Sequence, residues 1–388
     1  MVKRHKAKRL YLPAAMQLEV STILFYFFLS AVGLQVVYWL FFILGMLHLQ
    51  SPQEVDKSKL PGISVIVAAK NELLNLKELI PALMAQDHPD YEVIIINDRS
   101  DDGTDEFLLK EEQKYDKLKA LHIYDLPDHI SGKKYAITLG IKAAKNKQVL
   151  LTDADCRPNT DSWVAKMASG FGGSTDIVLG FSNYIRLKGF LNYFIRFETL
   201  LTGIQYMGSA ANNRPFMGVG RNLAYKKDLF LESKGFFGYQ ELMGGDDDLF
   251  INKHATARNT VTLAGKEAIT LSKPKQSWRT YWQQKLRHMH IGKHYSLKSK
   301  ITLALFNLSW IFTWILGMGC LIAWFRPEWV IFSLLLREIL VLISFITGTK
   351  KLGISFGIAG IIFVDILYVI YYIFVGIKAL VVKNISWA

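Results

Sequence analysis

Cysteine is scarce in this chain, and several common ligand-binding patterns are missing. Its 388 residues include two cysteines, Cys156 and Cys320, which lie far apart and provide neither a disulfide framework nor a zinc spacing. The nine histidines show no metal-ligand spacing. No Walker-type loop occurs, and Gly218-Val219-Gly220 lacks the third glycine of a dinucleotide-binding pattern. The sequence therefore offers no disulfide scaffold, zinc motif or dinucleotide loop.

Acidic residues are outnumbered by basic ones, and the formal net charge is +13. Such an excess is typical of proteins that bind nucleic acid, anionic lipid or a phosphate-bearing ligand. Hydrophobic residues make up 51% of the chain, and they are concentrated in long apolar runs. Membrane lipids and a phosphate-bearing ligand are therefore favoured as partners over nucleic acid.

Long apolar runs divide the chain into segments; the first two carry no charge, whereas the last two contain Arg337-Glu338 and Asp365. One N-terminal run and three C-terminal runs are each long enough to cross about 30 Å of hydrocarbon as a helix. A turn at Thr349-Lys350-Lys351 is predicted to join the last two helices. The predicted segments are a basic N-terminal stretch (1–19), a transmembrane helix (20–49), a soluble domain (61–276), an interfacial amphipathic segment (277–300) and transmembrane helices over 301–325, 329–348 and 352–377.

The basic N-terminal stretch conflicts with a simple membrane orientation. Lysines before and between the C-terminal runs, such as Lys293 and Lys350, are typical of loops on the cytosolic side. The soluble domain would then be cytosolic, and the basic residues between Lys3 and Arg9 would lie outside if residues 20–49 cross once. One hypothesis is that native translation begins at Met16, which removes these charges.

The soluble domain alternates strand and helix patterns, which predicts a parallel sheet covered by helices, an α/β fold. In such a sheet, ligands bind beyond the carboxyl ends of the strands. Asp98 and Asp153 fall at two of these ends, so two strands direct carboxylates towards one crevice. The predicted strands are 63–69, 91–97, 118–124 and 148–152, and the predicted helices are 72–86, 105–115 and 134–144.

Asp98 follows three isoleucines, where its carboxylate is placed to accept a hydrogen bond from a nucleobase N–H. The sequence around it is also rich in turn-forming residues, and Asp102 or Thr104 would cap the next helix. Taken alone, the turn is the preferred interpretation. Asn71, after the first strand, is likewise explained as a helix N-cap.

Asp153-Ala154-Asp155 places two carboxylates on a short turn after a buried strand. Mg²⁺ and Mn²⁺ prefer oxygen ligands, usually one or two carboxylates with phosphates and water. Two acids held close together repel each other unless a cation lies between them. The alternatives are a solvated turn ending at Pro158 and a phosphatase nucleophile pair. Arg157 stands where the phosphatase pattern has threonine, which argues against the second alternative.

Three consecutive acids, Asp246, Asp247 and Asp248, follow two glycines and precede a helical pattern. Acids at a helix start are stabilised by the helix dipole, which explains one or two of them. A run of three favours a catalytic carboxylate that acts as a general base.

Gln284 and Arg287 lie one helical turn apart, just before a predicted membrane span. The aromatic and basic residues around them are typical of an interfacial helix on an anionic leaflet. Arg287 is also placed to bind a diphosphate. Ser131-Gly132-Lys133-Lys134 is a basic turn that either approaches a phosphate or is solvated.

In this order, the motifs resemble those of membrane-bound family 2 glycosyltransferases of the GT-A fold, similar to bacterial polysaccharide and glycolipid synthases. The resemblance covers roughly residues 61–293. It implies a Rossmann-like nucleotide-sugar domain with one N-terminal and three C-terminal transmembrane helices. It further implies inverting transfer of a hexose or N-acetylhexosamine from a UDP-sugar to a lipid-linked or growing glycan acceptor, in the inner (cytoplasmic) membrane.

The resemblance also implies a role for individual residues. Asp246 would be the catalytic base, and Asp155 with Asp153 would ligate Mn²⁺ or Mg²⁺. The donor nucleotide would be bound by Ala69, Asn71, Glu72, Asp98, Lys133, Asp153 and Arg287. The acceptor side would comprise Gly220, Arg221, Asp247, Gln284, Arg287 and His288.

Two positions depart from the family pattern. Gly245 replaces the usual glutamate before the base, and His288 replaces a tryptophan that stacks on the acceptor sugar in many polymerising synthases. These departures bring processive polymerisation into question more than transfer itself. They also leave open a catalytically degenerate nucleotide- or glycan-binding protein, beside a metal-dependent phosphatase or nucleotidyl enzyme that uses Asp153 and Asp155.

Overall fold

The protein was analysed as a computed structural model that describes residues 14–50 and 56–381. The basic residues that prompted the alternative start at Met16 lie outside the described residues. The chain divides into two compact units. Of the described residues, one unit comprises 14–39 together with Thr302–Val341, and the other comprises 40–50, 56–301 and 342–381.

Strands and helices alternate through the first part of the second unit. The helices are α1 (Ala14–His48), α2 (Leu73–Met84), α3 (Thr104–Glu112), α4 (Gly132–Ala143), α5 (Trp163–Ala168), α6 (Phe190–Ala211), α7 (Lys227–Glu232), α8 (Asp248–His254), α9 (Trp278–Gly292), α10 (Leu297–Ile322), α11 (Pro327–Leu352) and α12 (Ile361–Val381). The strands are β1 (Ile63–Ala69), β2 (Tyr91–Asp98), β3 (Leu118–Ile123), β4 (Gln148–Asp153), β5 (Cys156–Pro158), β6 (Ile177–Leu179), β7 (Ser182–Tyr184), β8 (Leu223–Lys226), β9 (Thr260–Thr262) and β10 (Thr270–Ser272).

The main sheet has seven strands in the order β3-β2-β1-β4-β8-β6-β9. The strands β1 to β4 pair in parallel, as predicted, whereas β8 runs antiparallel to both β4 and β6. A second, three-stranded sheet has the order β5-β10-β7. The α/β class is confirmed, and the antiparallel strand and the second sheet are additions that the sequence pattern did not reveal.

Both faces of the main sheet are covered because its central strands are apolar on both sides. Successive residues of a strand point to opposite faces. Val65 and Val67 of β1 share a buried cluster with Leu76 and Leu79 of α2. On the other face α4 packs so closely that a Cβ on Gly140 would lie 2.7 Å from Ile66. This double cover leaves the carboxyl edge of the strands as the open side.

Among the described residues, four helices are long and apolar enough to cross a membrane: Leu18–His48, Leu297–Ile322, Pro327–Leu352 and Ile358–Ala379. The predicted turn at Thr349-Lys350-Lys351 is wrong, because α11 continues through it to Leu352. Lysines in a last helical turn interact favourably with the helix dipole and need no break. The helix ends at Leu352 and is followed by Gly353, which has a positive φ of 68°. The next long helix, α12, begins at Ile361 rather than at residue 352.

Candidate active site

Three neighbouring parallel strands end side by side at the open edge of the sheet. β1 lies between β2 and β4, so Ala68 pairs with Asp153 and Ala69 pairs with Asn97. Asp98 therefore follows on one side of β1, and Asp153 on the other. Ala69 is buried in the apolar core, so its methyl group packs inwards rather than lining the open edge.

A single ammonium group connects two of the predicted acids. Lys133, in the first turn of α4, places Nζ 2.9 Å from Oδ1 of Asp153 and 3.0 Å from Oδ2 of Asp246. Desolvation opposes the charge of Lys133, but Asp153 and Asp246 outweigh it and raise the pKa of the lysine well above its ordinary value. A small recess is lined by these three residues, by Gly220 and by mainly apolar residues of the neighbouring elements. Residues from three separate parts of the sequence thus meet at one place.

Asp155 lies on the turn after Asp153, and Glu72 faces the pair. Burial, and then the charge of Asp153, raise the pKa of Asp155. Burial and the charges of Asp155 and Asp153 likewise raise the pKa of Glu72. A divalent cation would relieve this mutual repulsion.

The carboxylates fit a cation that arrives with a ligand. Across residues 14–50 and 56–381, no group of three or more His, Cys, Asp or Glu side chains is arranged to hold a metal ion. An ion at Asp153 and Asp155 would therefore complete its shell with oxygens of a ligand and of water. Mg²⁺ is commonly bound in this way, through one or two carboxylates and phosphates.

Arg157 fixes the turn that carries these two aspartates. Its Nη1 donates to the carbonyl oxygen of Ala154 at 3.0 Å, and its Nη2 donates to that of Asn75 at 2.7 Å. Nη2 also lies 3.0 Å from Oε2 of Glu78. The arginine thus holds the turn against α2, a role that the sequence analysis missed.

The three consecutive acids have three different partners. Asp246 is buried beside the recess. Asp247 accepts hydrogen bonds from the backbone N–H groups of Gly220 and Asp248, both at 2.7 Å. Asp248 accepts one from the hydroxyl of Tyr295 at 2.8 Å. Asp247 and Asp248 are therefore committed to holding backbone and side chains in place.

The pKa shifts also distinguish Asp246 from Asp247 and Asp248. Burial raises the pKa of Asp247 and raises that of Asp248 well above its ordinary value. Burial acts on Asp246 too, but the charges of Lys133 and Lys134 outweigh it and lower the pKa. Asp246 is thus an ionised carboxylate held next to the recess.

Two glycines explain why the residue before Asp246 departs from the family pattern. Gly244 and Gly245 have φ values of 98° and 77°, a region that favours glycine. A Cβ on Gly245 would lie 2.6 Å from Cδ1 of Leu249. The local backbone therefore excludes a glutamate at this position.

Lys134 serves the loop before Asp246 rather than the recess. Its side chain is fully buried, and its Nζ donates to the carbonyl oxygens of Leu242 and Gly244. The same ammonium lies 5.6 Å from the ring centroid of Tyr239. Burial lowers the pKa of Lys134 to about 8, against the opposing effect of Asp246. The sequence predicts a single basic turn at Ser131-Gly132-Lys133-Lys134. In the structure its two lysines have different partners.

Asp102 connects the starts of two helices. Its Oδ2 accepts from the backbone N–H of Leu73 at 2.9 Å, and its Oδ1 accepts from that of Thr104 at 3.1 Å. Asn71, expected to be the N-cap of α2, instead has a φ of 56° and accepts from the N–H of Asp101 at 2.9 Å. The N-cap interpretation of Asn71 is wrong because an acid from the adjacent loop supplies the cap.

Asp98 is buried at the end of β2. Its Oδ1 lies 2.8 Å from Nε of Arg99. The turn before Lys133 passes directly over it, since a Cβ on Gly132 would lie 2.2 Å from Oδ2 of Asp98. Glycine at position 132 therefore lets the basic turn approach this carboxylate.

Arg221 and Gln284 meet through a tyrosine. The guanidinium of Arg221 lies 4.5 Å from the ring centroid of Tyr184, and Nε2 of Gln284 is 3.4 Å from the Tyr184 hydroxyl. Burial opposes the charge of Arg221, but Tyr184, Cys156 and Asp155 outweigh it and raise its pKa. Nη1 of Arg221 is buried without a hydrogen-bond partner among the described residues.

The helix α9 brings Arg287 and His288 to the same region. His288 is exposed and lies among the positive charges of Lys285, Arg287 and Arg221. An imidazole thus stands in a cationic environment where the family pattern has an indole.

A buried glutamate anchors α9. Glu198 of α6 lies 2.8 Å from Nζ of Lys285 and accepts a hydrogen bond from the hydroxyl of Tyr281, both on α9. Its other oxygen accepts from the hydroxyl of Tyr368 on α12 at 2.9 Å. No local sequence pattern pointed to Glu198, because its partners are distant in sequence.

The mixed α/β sheet, with acids at its strand ends and a buried acid beside a recess, is of GT-A type. A solved structure supports this fold: the mannosyltransferase PcManGT from Pyrobaculum calidifontis, in complex with GDP-Man and Mn²⁺, aligns over 85% of this chain and 97% of its own with a TM-score of 0.52 and 16% identity.

The sequence comparisons match part of the chain to a family. Residues 64–238 match the model of glycosyl transferase family 2. The probable glycosyltransferase YdaM of Bacillus subtilis is 24% identical over 298 residues, 71% of this chain and 67% of that protein. The poly-beta-1,6-N-acetyl-D-glucosamine synthase of Staphylococcus epidermidis is 31% identical over 100 residues, 26% of this chain and 23% of that protein. The chain is a glycosyltransferase; residues 64–238 match the family 2 model, and the described residues include four helices long and apolar enough to cross a membrane.

Proposed function

We propose that this enzyme transfers a hexosyl or N-acetylhexosaminyl group from a UDP-sugar to a hydroxyl of a lipid-linked or growing glycan acceptor, with inversion at the anomeric carbon. The observation that carries the proposal is the position of Lys133, whose Nζ lies 2.9 Å from Asp153 and 3.0 Å from Asp246. The Lys133 ammonium thus lies between one strand-end acid, Asp153, and a buried acid from a distant loop. A donor leaving group beside Asp153 and an acceptor hydroxyl beside Asp246 would therefore lie next to each other.

Asp246 is assigned as the general base. It is buried, ionised and next to the recess, as a base that takes a proton from an acceptor hydroxyl needs to be. The hydroxyl oxygen attacks the anomeric carbon from the face opposite the nucleotide. The new C–O bond forms as the bond to the diphosphate breaks, the electron pair leaves with UDP, and the proton remains on Asp246 until it passes to solvent.

Lys133 and Arg287 are assigned to the negative charge of the departing diphosphate. Asp155 and Asp153 would hold Mn²⁺ or Mg²⁺, which when bound supplies Lewis-acid stabilisation of that diphosphate. The Mn²⁺ complex of the Pyrobaculum mannosyltransferase agrees with the use of a divalent ion.

The remaining predicted residues divide between donor and acceptor. We assign Asp98 to the uracil N–H, with the loop of Asn71 and Glu72 and the backbone of Ala69 beside the nucleotide. Asp247 holds Gly220 by its backbone N–H and so shapes the acceptor side. The other residues proposed on that side are Arg221, Gln284, Arg287 and His288.

The proposed setting is the cytosolic face of the inner membrane. Four helices are long and apolar enough to span it, and Lys293, Lys350 and Lys351 favour a cytosolic domain under the positive-inside rule. The similarity over 100 residues to a poly-N-acetylglucosamine synthase supports a glycan acceptor, and the candidate membrane spans support a lipid-linked one.

Purified protein in detergent, supplied with radiolabelled UDP-glucose, UDP-N-acetylglucosamine or GDP-mannose and with Mn²⁺ or Mg²⁺, tests the proposal when the products are sized. Asp246→Asn should lower kcat about 10²- to 10⁴-fold while UDP binding is kept. Asp176→Asn is the control for the loss of an ion-paired carboxylate away from the recess, because Asp176 lies 2.9 Å from Nζ of Lys226 as Asp246 lies 3.0 Å from that of Lys133, although its side chain is more exposed. Full activity of Asp246→Asn, or transfer from GDP-mannose alone, would contradict the proposal.

A further inference from the structure

The loop before Asp246, residues 238–245, is held by the residues at the start of α4. The backbone N–H of Ser131 donates to the carbonyl oxygen of Gln240 at 2.9 Å. Lys134 donates to two further carbonyls of the loop, those of Leu242 and Gly244. Ser131, the N-cap of α4, and Lys134 in its first turn therefore contact the loop at three backbone positions, and Lys133 contacts Asp246 itself.

The loop needs such support because its own backbone is permissive. Gly238, Gly244 and Gly245 have φ values of 91°, 98° and 77°, and glycine at such positions adopts many alternative conformations. An ammonium that binds two carbonyl oxygens of the loop selects one of these backbone conformations. Without that donor the two carbonyl groups, which are partly buried, would lose their hydrogen bonds.

We propose that Lys134 is a positioning residue for the transfer reaction: its ammonium fixes the backbone of Leu242–Gly245 and thereby the place of the Asp246 carboxylate relative to the acceptor hydroxyl. The proposal rests on the function assigned to Asp246. Lys134 does not line the recess, so its expected effect is on kcat rather than on donor binding. A displacement of about 1 Å at a reacting group can cost about 10²-fold in rate.

The charges around Lys134 make the arrangement sensitive to pH. The groups that face it are Asp246, Asp247 and Asp248 from the loop and the start of α8, Lys133 from its own helix, and Tyr239. The pKa of Lys133 and that of Tyr239 are both raised, whereas burial lowers that of Lys134 to about 8. Lys134 is thus protonated below about pH 8 and loses its proton above it. We therefore expect kcat to fall as the pH rises above about 8.

Lys134→Met and Lys134→Arg test the proposal in the purified, detergent-solubilised full chain. Lys227→Met is the matched control, because Nζ of Lys227 also donates to two backbone carbonyls, those of Lys142 at 3.0 Å and Ala144 at 2.7 Å. Lys134→Met should lower kcat about 10²-fold with unchanged KM for the donor and unchanged UDP binding. Lys227→Met should keep its kcat, and Lys134→Arg, which retains charge and donors, should recover part of the loss.

The pH profile and amide exchange give readouts that need no folded methionine variant. In the unaltered enzyme kcat should decline above about pH 8, and exchange at Gly244 and Gly245, corrected for intrinsic rates, should rise. In Lys134→Arg both changes should move to higher pH. A folded Lys134→Met with unaltered kcat, or a flat kcat and unaltered exchange from pH 7 to 9.5 in the unaltered enzyme, would overturn the proposal.

The two proposals fail separately. If Asp246→Asn keeps its activity, the assignment of the base is wrong. If Asp246→Asn is inactive while Lys134→Met and Lys227→Met are equally active, the base stands and only the role of Lys134 is wrong.

Discussion

The two halves of the catalytic sheet region hold their site residues in different ways. In the first half, residues 63–155, the strands β1 to β4 are six to eight residues long. In the second half, residues 177–292, the strands β6 to β10 are three or four residues long. The first half places its acids by long backbone ladders, and the second half depends on individual side chains.

The consequence is that the two halves should respond differently to substitution. Asp98 and Asp153 end ladders that persist whatever side chain stands there, so their loss should affect chemistry and leave the fold intact. In the second half the same side chains that hold loops also lie next to the site. Lys134, reaching from the first half, supports a loop of the second.

The largest expected effect concerns the first half. Asp155→Asn should remove the stimulation by Mn²⁺ or Mg²⁺ and lower kcat roughly 10³-fold, since a bound cation contributes several kcal/mol to charge stabilisation. Its melting temperature should change little, because the turn is fixed by Arg157 rather than by Asp155. Transfer assays over a metal titration, with Asp176→Asn beside them, measure this. Unaltered metal stimulation would show that Asp155 is not a ligand.

An intermediate effect concerns the framework of the second half. The side chain of Asn222, fully buried, accepts from Nε1 of Trp163 at 3.0 Å and donates to the carbonyl oxygens of Phe181 at 2.8 Å and Ala268 at 2.7 Å. Asn222→Ala should therefore lower the free energy of unfolding by about 2–4 kcal/mol, seen as a lower melting temperature. A melting temperature equal to that of the unaltered protein would show that second-half stability does not depend on this side chain.

The smallest expected effect returns to the first half. Asp102→Ala removes the acceptor for the first N–H groups of α2 and α3, and the loss of such a cap costs about 1–2 kcal/mol. The adjacent and exposed Asp101→Ala is the control and should lie within about 0.5 kcal/mol of the unaltered protein. Equal unfolding free energies for the two variants would refute the double cap.

The first half was largely predictable from the sequence because its strands are apolar runs bounded by turns. β1 was predicted with its observed bounds, and Asp98 and Asp153 were correctly placed at strand ends. The second half was not, because strands of three residues give no periodic signal. Lys134, Arg157 and Glu198 were missed for a related reason, since each acts on partners that only the folded chain brings near.

The errors have equally local causes. Asn71 looks like a helix cap in sequence, but Asp102 from the next loop reaches the same N–H groups. Lys350 and Lys351 look like a break between two spans, but they belong to the last turn of α11. In both cases a correct local propensity was overridden by a partner or a helix that the sequence window did not include.

A crystal structure of the full chain with UDP and Mn²⁺, with data recorded at the manganese absorption edge, tests the central claim most directly. We expect an anomalous peak within coordination distance of the Asp155 carboxylate and the diphosphate of UDP beside Lys133. We also expect the Asp246 carboxylate to face the recess, next to the diphosphate. An ion or a nucleotide bound elsewhere, with Asp246 turned away from both, would contradict the account.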